Sequence, residues 1–143
     1  MHRLHDVLRR LHLVYGRPGD SVHDVAIAMT EAGVGAVPVL ERGQLVGIFS
    51  ERDLMTRVVV AGRDPEQTRV GEVMTRDVVT AEPDETVDQC LDKMRRTGCR
   101  HLPVVVKGAV ISMVSLRQLL RDEIAEQDDE IRNLRAYLHQ TPA

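Results

Sequence analysis

The chain has 143 residues, a net charge of −3, 43% apolar residues and only three aromatic side chains, Tyr15, Phe49 and Tyr137. That length holds one domain or two very small ones, with a core built from Val, Leu, Ile, Met and Ala. The acidic balance and the scattered aromatics exclude a basic nucleic-acid-binding stripe and a base-stacking platform, and no run of about 18 apolar residues is present to span a membrane.

The N-terminal residues 1–10 mix His, Arg and Asp with Leu and Val and lack the apolar core of a secretory signal, so the expected location is the cytoplasm. His2, His5 and His12 recur along one face if this stretch is helical. Two or three imidazoles without further ligands read as a solvated face, and no metal is expected. Residues 12–15 then form a short β-branched segment, followed by a turn at Pro18. Val22, Val25, Ala26 and Met29 recur at helical spacing and predict an amphipathic helix over 22–32. Ser21 is its cap and Gly33 its left-handed terminator. Strands are expected over 36–40 and 45–49 around a turn at Gly43, and a second helix from about Ser50.

A shift of 65 positions repeats this pattern without a gap. Pro18 meets Pro83, Val22 meets Val87, Met29 meets Met94, Gly33 meets Gly98, Pro38 meets Pro103, Gly43 meets Gly108, Ser50 meets Ser115 and Leu54 meets Leu119. The second copy predicts a strand over 78–80, a helix over 87–97 capped by Thr86, strands over 101–106 and 110–114, and a helix from about Ser115. The expected fold is therefore mixed α/β (α+β). Two tandem β-α-β-β-α repeats pack as a pseudo-twofold pair, because one copy of about 50 residues buries too little surface alone. The expected divisions are 1–17 as lead-in to repeat 1, 18–62 as repeat 1, 63–122 as linker and repeat 2, and 123–143 as a C-terminal amphipathic helix.

The segments GVGAVPVLERGQLVGIFSERDL (33–54) and GCRHLPVVVKGAVISMVSLRQLL (98–120) resemble the signature of a CBS domain. The segment VGEVMTRDVVTAEPDETV (70–87) is similar to the usual lead-in to a second one. The resemblance covers residues 4–121 and implies a Bateman module, a regulatory pair that catalyses nothing. Such a module senses AMP, ADP, ATP, NAD or S-adenosylmethionine, often as a homodimer, and signals to a separate effector protein.

Within GIFSERD (47–53), the resemblance implies that Ser50 lies by a phosphate and Asp53 holds a ribose. Gly47 would let the ligand approach the backbone. Ser50 and Asp53 also make a Ser-x-x-Asp capping box, which needs no ligand at all. The second copy has Ser112, Ser115 and Gln118 at these places, and a neutral amide is a poor diol clamp. The resemblance further implies phosphate donors from the other repeat, Arg100 and His101, where the first copy has Gly35 and Ala36. It places the base against Val14 and Tyr15 and against 35–37, Val37 included. Tyr15 either stacks on the base or belongs to the core. Arg52 recurs as Arg117 and reads as structural or surface.

Cys90 and Cys99 form no CxxC or zinc pattern. Cys90 falls on the apolar side of its helix as a small core residue. Beyond Leu116, Leu120, Ile124, Gln127, Ile131, Leu134 and Leu138 follow alternating four-and-three spacing. That stripe either folds back on its own domain or meets a second subunit. Two functional readings stand: a nucleotide-sensing module, and a ligand-free interaction or oligomerisation module. An enzyme is not expected, since no nucleophile–base pair, metal cluster, Walker loop or Rossmann glycine pattern is present.

Overall fold

A computed structural model describes Arg3, Leu4 and residues 13–140. His2, His5 and His12 lie outside the described residues. The elements in order are α1 (Val22–Ala32), β1 (Ala36–Glu41), β2 (Gln44–Ser50), α2 (Glu51–Asp53) continuing as a π-helical turn (Leu54–Val59), α3 (Val70–Val73), α4 (Val87–Thr97), β3 (His101–Val106), β4 (Ala109–Ser115) and α5 (Leu116–Gln140).

Each repeat contributes one antiparallel hairpin, β1–β2 or β3–β4. The two hairpins share a register, including an irregularity between Val39 and Leu40 and again between Val104 and Val105. Both turns put a long side chain and then glycine at positive φ: Arg42 and Gly43 at 52° and 78°, Lys107 and Gly108 at 50° and 82°. That pair of left-handed residues makes the tight turn, and glycine relieves the second of them.

The segments 13–15 and 78–80, expected as strands, are not strands. Each touches the hairpin by one parallel bridge, Gly16 to Val39 and Ala81 to Val104. Two hydrogen bonds hold each bridge, for example Gly16 N–H to Pro38 O at 3.0 Å and Ala81 N–H to Pro103 O at 2.9 Å. The chain turns away at once toward Pro18 and Pro83, which have no N–H to continue a ladder.

Capping follows the sequence closely. Ser21 Oγ accepts from Asp24 N, and Gly33 ends α1 in the left-handed region. Thr86 and Gln89 make a reciprocal box at α4, with bonds of 2.9 and 3.1 Å. Thr86 is buried, so Thr86→Ala should cost about 1 kcal/mol, read as a lowered urea midpoint at unchanged slope.

The buried side chains do not form one shared core, as two copies packing together suggested. They form two clusters, one per repeat. Phe49, Val22, Val37, Val39 and Val58 centre the first, and Leu102, Val87, Cys90, Val114 and Leu119 the second. The clusters exchange chain ends. Leu4 is fully buried in the second cluster, while Val70, Val73 and Met74 of the connector lie in the first. Residues 70–74 thus pack with the repeat they follow.

Candidate functional site between the repeats

β2 ends at Ser50, whose backbone turns the chain into α2. Ser50 Oγ accepts from Asp53 N at 3.2 Å, and Asp53 Oδ2 accepts from Ser50 N at 3.0 Å and from Ser50 Oγ–H at 3.1 Å. The capping box is therefore complete. Asp53 Oδ1 accepts from Thr75 Oγ1–H at 3.0 Å, and Arg57 Nε stands 3.7 Å from it. Arg57 also donates to Met74 O at 2.8 Å. Asp53 as a whole is only 6% exposed. A carboxylate offers about four acceptor directions, so most of this one is already engaged by its own chain. Among the described residues, Thr75 is its one hydroxyl partner from outside the box.

Asp53 borders a cavity of ≈ 360 Å³ lined by both repeats. Repeat 1 supplies Gly35, Ile48, Ser50, Glu51, Arg52 and Asp53, and the connector supplies Thr75, Asp77, Val78 and Val79. Repeat 2 supplies residues 97–101, including Cys99, Arg100 and His101. The volume is in the range of a small-molecule site. Its wall carries apolar Ile48, Val78 and Val79, the cations Arg52 and Arg100, and three carboxylates, Glu51, Asp53 and Asp77. A side-chain methyl on Gly35 would sit 3.3 Å from both Glu51 Oε1 and His101 Nε2, so these two groups face each other over bare backbone.

Burial lowers the pKa of His101 below its ordinary 6.5, Glu51 opposes this, and Arg100 adds to it. A depressed imidazole binds its proton more readily in the unfolded chain. Its contribution to stability is present above the unfolded value and is lost as pH falls through the folded one. Melting temperature should therefore fall as pH drops below about 6.5, and His101→Gln should flatten part of that slope.

Of the residues expected at a site, Gly35, Ser50, Asp53, Arg100 and His101 come together at this cavity. Gly47, Val14, Tyr15, Ala36 and Val37 do not line it. Ala36 and Val37 are core, Val14 packs against the same core, and Tyr15 is 45% exposed with Arg17 over its ring. A side chain on Gly47 would meet Met74 Sδ at 2.6 Å and Thr75 O at 2.9 Å. The glycine thus admits the connector. The shift of 65 positions would have indicated the missing wall, because Val79 is the counterpart of Val14 in the other repeat. Arg52, read as structural or surface, is exposed and lies on the cavity rim.

In the second repeat, Ser115 Oγ accepts from Gln118 N at 3.1 Å, so the cap persists. Cys90 is fully buried, and its thiol pKa is pushed up to about 11, chiefly by burial. Cys99 is half-buried with Thr97 Oγ1 at 3.0 Å. Among the described residues, no three His, Cys, Asp or Glu side chains converge on a metal position, and no helix is long and apolar enough to cross a membrane.

The family model for the CBS domain matches residues 4–60 and 70–124. The chain belongs to the CBS-domain family. A CBS domain-containing protein of Arabidopsis thaliana, the mitochondrial CBSX3, is 34% identical over 124 residues, covering 83% of this chain and 60% of that protein. This chain therefore spans less than two thirds of that relative. The CBS-domain containing protein ATU1752 from Agrobacterium tumefaciens superposes with a TM-score of 0.78 at 30% identity, covering 85% of this chain and 98% of that one. The CBS domain protein PAE2072 from Pyrobaculum aerophilum, solved with AMP, superposes with a TM-score of 0.73 at 26% identity, over 81% and 88% of the two chains. The CBS pair here is a mixed α/β structure with two small antiparallel sheets.

Proposed function

We propose that this CBS pair binds an adenine nucleotide in the cavity between its repeats, and that it regulates a separate effector protein in the cytoplasm without catalysing a reaction. The observation that carries the reading is the cavity itself. It brings the buried Asp53 carboxylate and Ser50 from one repeat to face Arg100 and His101 from the other.

In this arrangement the ribose hydroxyls reach Asp53 by replacing the Thr75 hydroxyl. A phosphate lies toward Arg100 and His101, where charge-assisted hydrogen bonds are strong. The base lies against Val78 and Val79. An anion beside His101 favours the imidazolium, so nucleotide affinity rises as pH falls toward 6. The AMP bound by PAE2072 supports an adenosyl ligand. AMP, ADP, ATP, NAD and S-adenosylmethionine are the ligands to compare, with no metal cofactor.

The test is thermal unfolding with each of these and with GTP. A ligand at about 100 times its Kd stabilises by about 2.7 kcal/mol, a rise of a few degrees for a chain of this size. A rise with adenine ligands and none with GTP supports the sensor. No rise with any of them removes it in favour of a ligand-free interaction module.

The pair also acts as a homodimer in this reading. Met55 and Val59 correspond by the 65-residue shift to Leu120 and Ile124, and all four are exposed. Matched apolar patches on both repeats suit an isologous contact with a second copy.

A further inference from the structure

α5 has two faces with different fates. Leu119 is fully buried in the second repeat, and Asp122, Glu123 and Glu126 are half-buried on the same side. The apolar stripe lies roughly 110° round the helix from that side: Leu120, Ile124, Ile131, Leu134 and Leu138 are between 44% and 70% exposed. Folding back on its own domain is thus not how this stripe is covered. Its four-and-three spacing is that of a two-stranded seam, with Gln127 in one seam position.

We infer that α5 forms a parallel, in-register two-stranded coil with α5 of a second copy of this chain. Gln127 decides the alignment. In register and parallel, it meets Gln127 of the partner subunit, and each amide has both donors and an acceptor for the other. The same alignment sets Glu130 against Arg135 of the partner subunit on both sides of the seam, at the cost of Glu123 facing Asp128 of the partner subunit.

The antiparallel alignment that covers the full stripe puts Gln127 against Ile131 of the partner subunit. It also sets Arg121 against Arg135 of the partner subunit, and Asp128 and Glu130 each against their own copies. Sliding it by one heptad gains an Asp128–Arg135 pair. That slide buries Gln127 against Leu138 of the partner subunit and uncovers Leu120 and Ile124. A buried amide without a partner is costly, so the parallel register is the one the sequence satisfies. The stripe spans only about three heptads, marginal for isolated helices. The coil accordingly continues the contact made by the exposed patches of the two bodies.

The inference rests on the homodimer reading above and not on the nucleotide. The test is solution mass of the wild type, together with mild oxidation of Leu134→Cys and, as a control on the outer face, Asn133→Cys. Wild type oxidised alongside gives the background from Cys90 and Cys99. A dimer in which Leu134→Cys links to its own copy roughly tenfold or more faster than Asn133→Cys supports the coil, because the seam raises the local thiol concentration. A dimer in which Leu134→Cys links no faster than the control overturns the parallel register while leaving the dimer. A monomeric wild type overturns both.

Discussion

Asp53→Ala should lower stability by about 3 kcal/mol and abolish the rise in melting temperature produced by AMP. The stability loss follows from what the carboxylate holds. Ser50 N, Ser50 Oγ and Thr75 Oγ1 each lie within 3.0 to 3.1 Å of it, at a site that is only 6% exposed. Hydrogen bonds to a charged acceptor are worth about 1.5 to 3 kcal/mol each, and water recovers part of what the substitution removes. The ligand effect follows from the ribose, which has no other carboxylate held both beside Ser50 and against the connector. The two effects separate in one experiment: urea unfolding gives the first without nucleotide, and melting with and without AMP gives the second. An Asp53→Ala protein that still melts higher with AMP would move the ribose elsewhere in the cavity. One that is as stable as wild type would show the capping network to be redundant.

The second large effect is expected at Gly47. Gly47→Ala should destabilise by about 2 to 3 kcal/mol, the cost of overpacking where the neighbours are a buried methionine side chain and backbone that is itself hydrogen-bonded. The new methyl would press on Thr75 O, which accepts from Ile48 N at 2.9 Å, and on Met74, which is buried in the first cluster. The equivalent position in the second repeat already carries Ser112. The segment that enters the second repeat as Val70 enters the first begins at Leu4, whose N–H donates to Glu85 O as Val70 N–H donates to Asp20 O, and its continuation lies outside the described residues. Ser112→Ala should change stability by no more than about 0.5 kcal/mol. Equal urea midpoints for the two variants would mean that the connector yields freely.

This comparison also reinterprets a difference that the sequence presents as functional. Glycine and aspartate in one copy against serine and glutamine in the other looks like a binding site kept and a binding site lost. In the structure both differences have a structural cause as well. Gly47 admits the connector, and Asp53 receives a hydroxyl from it. In the first repeat these two residues thus serve the connector whether or not a ligand is bound. The weight of the nucleotide reading therefore rests on the cavity and on the groups facing each other across it, more than on the asymmetry of the motif.

By itself the sequence determined the repeat, the order of helices and hairpins, the caps at Ser21, Thr86 and Ser50, and the helix-ending glycines. These depend on neighbours within a few positions, where spacing and side-chain chemistry act directly. The resemblance to a CBS domain, carried by the two repeated segments, also brought Asp53, Arg100 and His101 into one hypothesis. The tertiary structure decided the rest. It reduced the expected first strands to single bridges, placed Leu4 and residues 70–74 each in a repeat's core, and made 77–79 rather than 14–15 the wall beside Asp53. It also left the apolar stripe of α5 beyond Leu116 exposed. Those outcomes depend on which copy of a repeated segment packs against which hairpin. Two near-identical patterns offer both pairings at the level of sequence, and only the burial of particular side chains in three dimensions separates them.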